Sequence, residues 1–317
     1  MSPARETPTR VLITGASGFV GRRLAARLSA EGDRYQVLPL GGPGHADQGR
    51  VVDLTDATAT AAIVAELRPD AIVHLAAFAS VAQGASRQHE VWTSNFDATR
   101  NLVLAASALD TLPRVVFAST AEVYGRGFND GPRDEDAPPA PASTYARSKV
   151  ACEYMLHDLA AALDVVVLRL FNHTGPGQGD AFVVPSLAGQ LARLDPALAG
   201  EVKVGNLEAC RDFTDVDDMI EAYAAVLADP DGTPGIRTYN VGSGRTRSIQ
   251  SVLDVLIRRH GGEVVVTRDP ARMRASDVPV NPGIFDRFRA RYGWAPVRDF
   301  DGTIAAIYDY ERGRALL

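Results

Sequence analysis

The stretch "TGASGFVG", residues 14–21, follows the apolar run "RVLI" and opens the amphipathic segment "GFVGRRLAARLSAEG", which stops at Gly32. Gly15, Gly18 and Gly21 therefore recur at three-residue intervals between a β-rich run and a helix-period pattern. In that context glycine lets the chain turn tightly and approach a pyrophosphate, whose charge then rests on a helix N-terminus. The spacing predicts a dinucleotide site at the start of the chain.

The rhythm of the first half agrees. Apolar runs at 35–40 ("YQVLPL"), 50–54 ("RVVDL"), 71–77 ("AIVHLAA"), 114–120 ("RVVFAST") and 164–172 ("DVVVLRLFN") alternate with helix-period stretches at 59–68, 86–110 and 144–163. Strands that read as nearly unbroken apolar runs are covered on both faces. The fold class expected is α/β, a Rossmann-type doubly wound parallel sheet. After Asn172 the alternation becomes irregular, with helices near 183–195, 216–228 and 249–260 and strands "EVKVG" and "TYNVG". We divide the chain into a dinucleotide-binding domain, 1–171, and a smaller C-terminal substrate-binding lobe, 172–317, some of whose segments return to the main sheet.

Bulk properties bound the function. The 317 residues are 46% apolar and 23% charged, with a net charge of -6, a balance that argues against a nucleic-acid surface. Cys152 and Cys210 lie far apart, without metal-ligand spacing, and no metal is expected. No run approaches membrane-spanning length, and "MSPARETPTR" has no apolar segment behind its charges, so a cytoplasmic protein is expected.

Two further stretches carry chemistry. "STAEVYG" (119–125) holds Thr120, Ala121 and Glu122, and "YARSK" (145–149) sets Tyr145 four residues before Lys149. A phenol near its reference pKa of about 10 exchanges protons poorly at neutral pH. A lysine one helical turn away shares its face and favours the phenolate, so a lowered phenol is expected. With "HLAA", "FNHTGPGQ", "VGNLEACRDF", "RDFTDVDDMIEAY", "YNVGSG" and "DPARMRASDVP", these stretches resemble the extended short-chain dehydrogenase/reductase superfamily, the NAD-dependent epimerase/dehydratases, along nearly the whole chain. The second half is similar to the branch of GDP-4-keto-6-deoxy-D-mannose reductases and GDP-mannose 4,6-dehydratases.

The resemblance implies Tyr145 as acid/base, Lys149 as its activator and Thr120 as the donor that positions the substrate oxygen. It implies cofactor contacts from Gly15, Gly18, Phe19, Val20, Gly21, Arg22, Asp53, Leu54, Leu75, Ala76, Ala77 and Asn95. Substrate contacts are implied for Thr120, Glu122, Asn172 and Val183, with Arg211 and Arg274 on the diphosphate. The second strand ends "LPLGGPG", with no carboxylate for a free ribose hydroxyl, while Arg22 and Arg23 follow the last glycine, so NADP(H) is favoured over NAD(H). The substrate implied is a nucleotide-diphosphate sugar, GDP-linked, and family analogy makes the chain a homodimer. Reduction of a 4-keto-6-deoxyhexose at C4 is the favoured chemistry, because Ala121 stands where the dehydratases carry Asp or Ser. A 4,6-dehydratase with Glu122 as C5 base, a 4-epimerase with retained NAD and a non-catalytic dinucleotide sensor are the alternatives.

Overall fold

The computed structural model describes residues 7–43, 50–79, 84–273 and 278–316. The first six strands, β1 (Thr9–Thr14), β2 (Tyr35–Gly41), β3 (Arg50–Val51), β4 (Ala71–His74), β5 (Arg114–Thr120) and β6 (Asp164–Leu170), join one sheet. β7 (Asn172–Thr174), β8 (Gly200–Val204) and β9 (Cys210–Asp215) leave it, and β10 (Gly235–Val241) returns to pair with β6. The order β3-β2-β1-β4-β5-β6-β10 is parallel throughout, a Rossmann-type sheet. Strand order reverses between β1 and β4, so the connections there part and leave a crevice at the carboxyl ends.

Alternation along each strand feeds two apolar layers. Val11 and Ile13 of β1 meet Leu24 and Leu28 of the helix Phe19–Ser29 and Met219 and Ile220 of the helix Val216–Ala228. Leu12, between them in sequence, points the other way, toward Val64, Leu102 and Leu156. The smaller lobe is built around β9, which pairs with β7, β11 (Thr246–Ser248) and β13 (Val280–Asn281), while β8 pairs with β12 (Val264–Arg268). Its core joins Leu187 and Leu191, Leu253 and Leu256, and Ile304 and Ile307 from three helices. Among the described residues no helix is long and apolar enough to cross a membrane.

Two expectations are corrected, and one stretch without an expectation is filled in. The run 50–54 pairs only at Arg50–Val51, because Asp53 Oδ1 accepts from Thr55 N at 2.9 Å and turns the chain toward the helix Ala57–Leu67. The long helix expected at 86–110 spans Gln88–Trp92 and Ala98–Ser107, joined by a π-helical turn, Thr93–Asp97. The last stretch of the chain, to which the sequence pattern assigned no element, holds β12 and the helices Asp286–Tyr292 and Phe300–Ala315.

One buried ion pair ties the sheet to the helix Thr144–Leu159. Arg169 Nη2 on β6 lies 2.8 Å from Glu153 Oε2, and both side chains are 9% exposed. Arg169 Nη1 also donates to the Tyr124 hydroxyl at 2.9 Å and Glu135 O at 3.0 Å, and Ser119 Oγ donates to Glu153. Removing one member of such a pair strands a charge, whereas replacing both with apolar groups costs far less. We therefore expect Arg169→Ala to lower unfolding free energy by about 3–5 kcal/mol in denaturant titrations, with much of the loss recovered in Arg169→Met/Glu153→Leu. A loss below about 1 kcal/mol, typical of exposed pairs, would show that the bridge does not hold the helix.

Candidate active site

Gly15 adopts φ +67°, and a Cβ there would meet Ala76 N at 2.8 Å; a Cβ on Gly21 would stand 2.2 Å from Gly15 O. No side chain fits at Gly21 without moving the turn. The helix Phe19–Ser29 begins at Gly18 with no side-chain cap, although Asp56, Ser143, Asp215 and Ser248 cap other helices. Its first N–H groups have no intrahelical acceptors and face a cavity lined by Gly15, Gly18, Phe19, Val20 and Gly21. That cradle fits a dinucleotide diphosphate.

The cavity, about 390 Å³, runs on past Leu75 and Ala77 to Thr120, Ala121, Glu122, Tyr145, Lys149 and Asn172. Ser143 Oγ caps the helix Thr144–Leu159 by accepting from Ala146 N at 3.1 Å, which starts the helix one residue before Tyr145. Tyr145, Lys149 and Glu153 then follow at four-residue steps on one face. Glu122 N donates to Thr120 Oγ1 at 3.2 Å, and the Thr120 hydroxyl donates in turn to the Tyr145 phenol oxygen.

The electrostatics differ from expectation. Lys149 Nζ donates to Ala118 O at 2.7 Å and sits 4.6 Å from the centre of the Phe117 ring. Burial pulls its pKa down to about 8. Tyr145 is not lowered: burial, with the Glu122 carboxylate adding to it, pushes the phenol up to about 12. Desolvation outweighs the lowering effect of the Thr120 hydrogen bond, and the phenol keeps its proton at neutral pH.

The other described residues named from the sequence lie outside the cavity wall. Asp53 is engaged by Thr55, and Leu54 is packed in the core beneath the sheet. Ala76 N donates to Thr14 Oγ1 at 3.2 Å. Asn95 Oδ1 accepts from Phe78 N at 2.7 Å, and its Nδ2 donates to Ser148 Oγ at 2.9 Å, so it braces the loop after β4 against the helix that carries Tyr145. Val183 begins the helix Val183–Ala192. Arg22 donates to Ser17 O and remains exposed, whereas Arg23 is bound to Pro176 O and lies 3.4 Å from Asp217. Arg211 Nη1 donates to Cys210 O at 2.7 Å and Val278 O at 2.9 Å, and Arg274 lies outside the described residues.

A hydrogen-bonded chain supports the turn from below. The Thr14 hydroxyl donates to His74 Nδ1 at 2.7 Å, His74 Nε2 donates to Thr99 Oγ1 at 3.0 Å, and Thr99 donates to Asn95 O. Burial holds the imidazole neutral, its pKa down at about 3. The sequence reading gave no role to His173, Gln178, Tyr223 or Asn281, all of which line the cavity. The first three lie within "FNHTGPGQ" and "RDFTDVDDMIEAY", and their positions in those motifs were the available signal. Asn281 bonds Asn172 Oδ1 through Nδ2 at 2.9 Å, a contact between distant segments that no local pattern reveals.

A parallel sheet with an uncapped glycine turn at its switch point, and a Thr-Tyr-Lys group along the same cleft, defines an oxidoreductase fold that takes a nicotinamide dinucleotide. The model of the NAD dependent epimerase/dehydratase family matches residues 11–242, and the chain belongs to that family, as an enzyme of the extended short-chain dehydrogenase/reductase type. It is 33% identical over 302 residues to GDP-6-deoxy-D-mannose reductase of Pseudomonas aeruginosa, covering 94% of this chain and 95% of the relative. It is 30% identical over 329 residues to UDP-glucose 4-epimerase of Azospirillum brasilense, covering 96% and 92%. The solved structure of RMD from Pseudomonas aeruginosa complexed with NADPH superposes with a TM-score of 0.83 at 30% identity over 96% of this chain and 99% of that one.

The depressed Lys149 has a thermodynamic signature. Between its folded value of about 8 and the ordinary lysine value of 10.5, the unfolded chain binds the proton that the folded one has released. The contribution of Lys149 to stability therefore rises with pH across that window and is unfavourable below it. Thermal midpoints of the parent and Lys149→Met, taken from pH 7 to 10, should differ most at pH 7, with the variant higher, and converge as pH rises. A constant difference across the range would contradict the burial of this charge.

Proposed function

We propose that the protein reduces the C4 carbonyl of a GDP-linked 4-keto-6-deoxyhexose, using NADPH in preference to NADH. The observation that carries this reading is Ala121, 3% exposed and lining the cavity between Thr120 and Glu122. A dehydratase must also take a proton from C5 and release the C6 hydroxyl, and a methyl group at this place assists neither. The raised pKa of Tyr145 adds support, since a phenol that keeps its proton is suited to donate to a carbonyl oxygen. The likeness to a GDP-6-deoxy-D-mannose reductase points to the same substrate class.

The nicotinamide, when bound, supplies hydride. The chain's own residues do the rest. Thr120 orients the phenol through their hydrogen bond, and Tyr145 holds the proton destined for the C4 oxygen. Lys149, a cation below about pH 8, favours the phenolate left behind. Asn172, aligned by Asn281, takes a sugar or phosphate oxygen, Arg211 and Arg274 hold the diphosphate, and exposed Arg22 meets a 2'-phosphate. A homodimer belongs to this reading: Leu104 (48% exposed), Tyr154 (63%) and Trp92 (38%) leave apolar surface on the helical segments 88–107 and 144–159, which pack together. So does a cytoplasmic location, supported by two free cysteines.

One observation favours a second reading. Glu122 lines the same cavity, and a carboxylate there is placed to serve as the C5 base of a 4,6-dehydratase. The two readings separate in one assay. The reductase consumes NADPH with a GDP-4-keto-6-deoxyhexose and leaves GDP-mannose unchanged, Tyr145→Phe lowers turnover at least about a hundredfold, and Glu122→Gln retains measurable activity. A product of GDP-mannose lighter by one water, with solvent deuterium at C5, would establish the dehydratase instead.

A further inference from the structure

Tyr223 stands in the cavity wall yet has no part in the chemistry described so far. It comes from the helix Val216–Ala228, which packs against the helix of the glycine turn, so it enters from the same face of the sheet as Gly15–Gly21. Its ring is 1% exposed and fixed among Leu168, Leu170 and Met219. Its hydroxyl is buried without a hydrogen-bond partner. A buried donor left unmade is costly, and buried hydroxyls are as a rule paired. Tyr223 and Tyr145 line the same cavity.

The position restricts what can pair with it. The diphosphate cradle is at the Gly15–Gly21 end, after β1, and Asn172, proposed to take the sugar, follows β6, three strands across the sheet. The ring that exchanges hydride must lie next to the carbon whose oxygen Tyr145 serves, so it shares the wall with Leu75, Leu170 and Tyr223. Its polar substituent is a carboxamide.

We propose that the Tyr223 hydroxyl hydrogen-bonds the carboxamide of the bound nicotinamide and so sets which face of the ring meets the substrate. Tyr223 is a positioning residue for the cofactor. The inference rests on the dinucleotide cavity and not on the identity of the sugar.

The test is Tyr223→Phe, which removes the hydroxyl and keeps the ring in the core. NADPH, NADH, and ADP-ribose with and without a 2'-phosphate are titrated into parent and variant by calorimetry, alongside thermal midpoints of the protein alone. The expected result is a loss of about fivefold in affinity for whichever intact dinucleotide the parent binds more tightly, the scale of one neutral hydrogen bond. The nicotinamide-free fragments should bind both proteins alike, and the midpoint of the variant alone should equal or exceed that of the parent. Unchanged dinucleotide affinity, an equal loss for the fragments, or a lowered midpoint would each overturn the proposal. If the parent itself binds neither dinucleotide, the cofactor assignment fails as well; if it binds one but reduces no GDP-sugar, only the proposed substrate fails.

Discussion

The Arg169–Glu153 pair is the constraint on which the site's geometry depends. Taking two charges out of water is expensive, and the pair is tolerable only because Arg169 donates to Glu153, Tyr124 and Glu135 O while Ser119 donates to Glu153. So many directed bonds admit one arrangement of their bearers. Glu153 lies one helical turn beyond Lys149 and two beyond Tyr145, so fixing it fixes the rotation of their helix. Ser119 and Tyr124 bracket Thr120 and Glu122, so the same network sets the end of β5. Helix and strand end are referenced to one buried point, and their reactive groups inherit that register.

Dryness is the second organising effect. Around the cleft burial raises Tyr145, lowers Lys149 and holds His74 neutral. Each shift disfavours the charged form. The chain Thr14–His74–Thr99 links the strand that ends in the glycine turn to the π-helical turn bearing Asn95, and Asn95 reaches Ser148, whose hydroxyl donates to Tyr145 O at 2.8 Å. The dinucleotide end and the reactive end of the cleft are thus connected through neutral groups.

Much of this was legible in the sequence because it is local. The glycine spacing, the apolar runs of β1, β4, β5 and β6, and the four-residue step from Tyr145 to Lys149 are properties of short windows. What escaped was set by distant partners. The sign of the Tyr145 shift depends on how deeply the phenol is buried, and no window of sequence carries that. Asn281 meets Asn172, and Tyr223 meets the cavity, only after β13 and the helix Val216–Ala228 have docked. The C-terminal helix Phe300–Ala315 interrupts its apolar positions Ile304, Ile307 and Tyr308 with glycine and charge, which blurs the period. Asp53 shows the local case, a carboxylate whose Oδ1 is engaged by Thr55 within its own turn.

The return of β10 to the main sheet carries a consequence for synthesis on the ribosome. β6 has β5 on one side, and among the described residues its other edge is paired by Gly235–Val241 alone. Until that segment emerges, the nascent chain presents β6, whose residues Val165, Val166 and Val167 are buried in the finished protein, as an unpaired apolar edge. Such an edge is a template for pairing with another chain. The lobe's first strands, β7, β8 and β9, must therefore be traversed before the nucleotide-binding sheet is closed, and chains that end short of Val241 are the ones most exposed to aggregation.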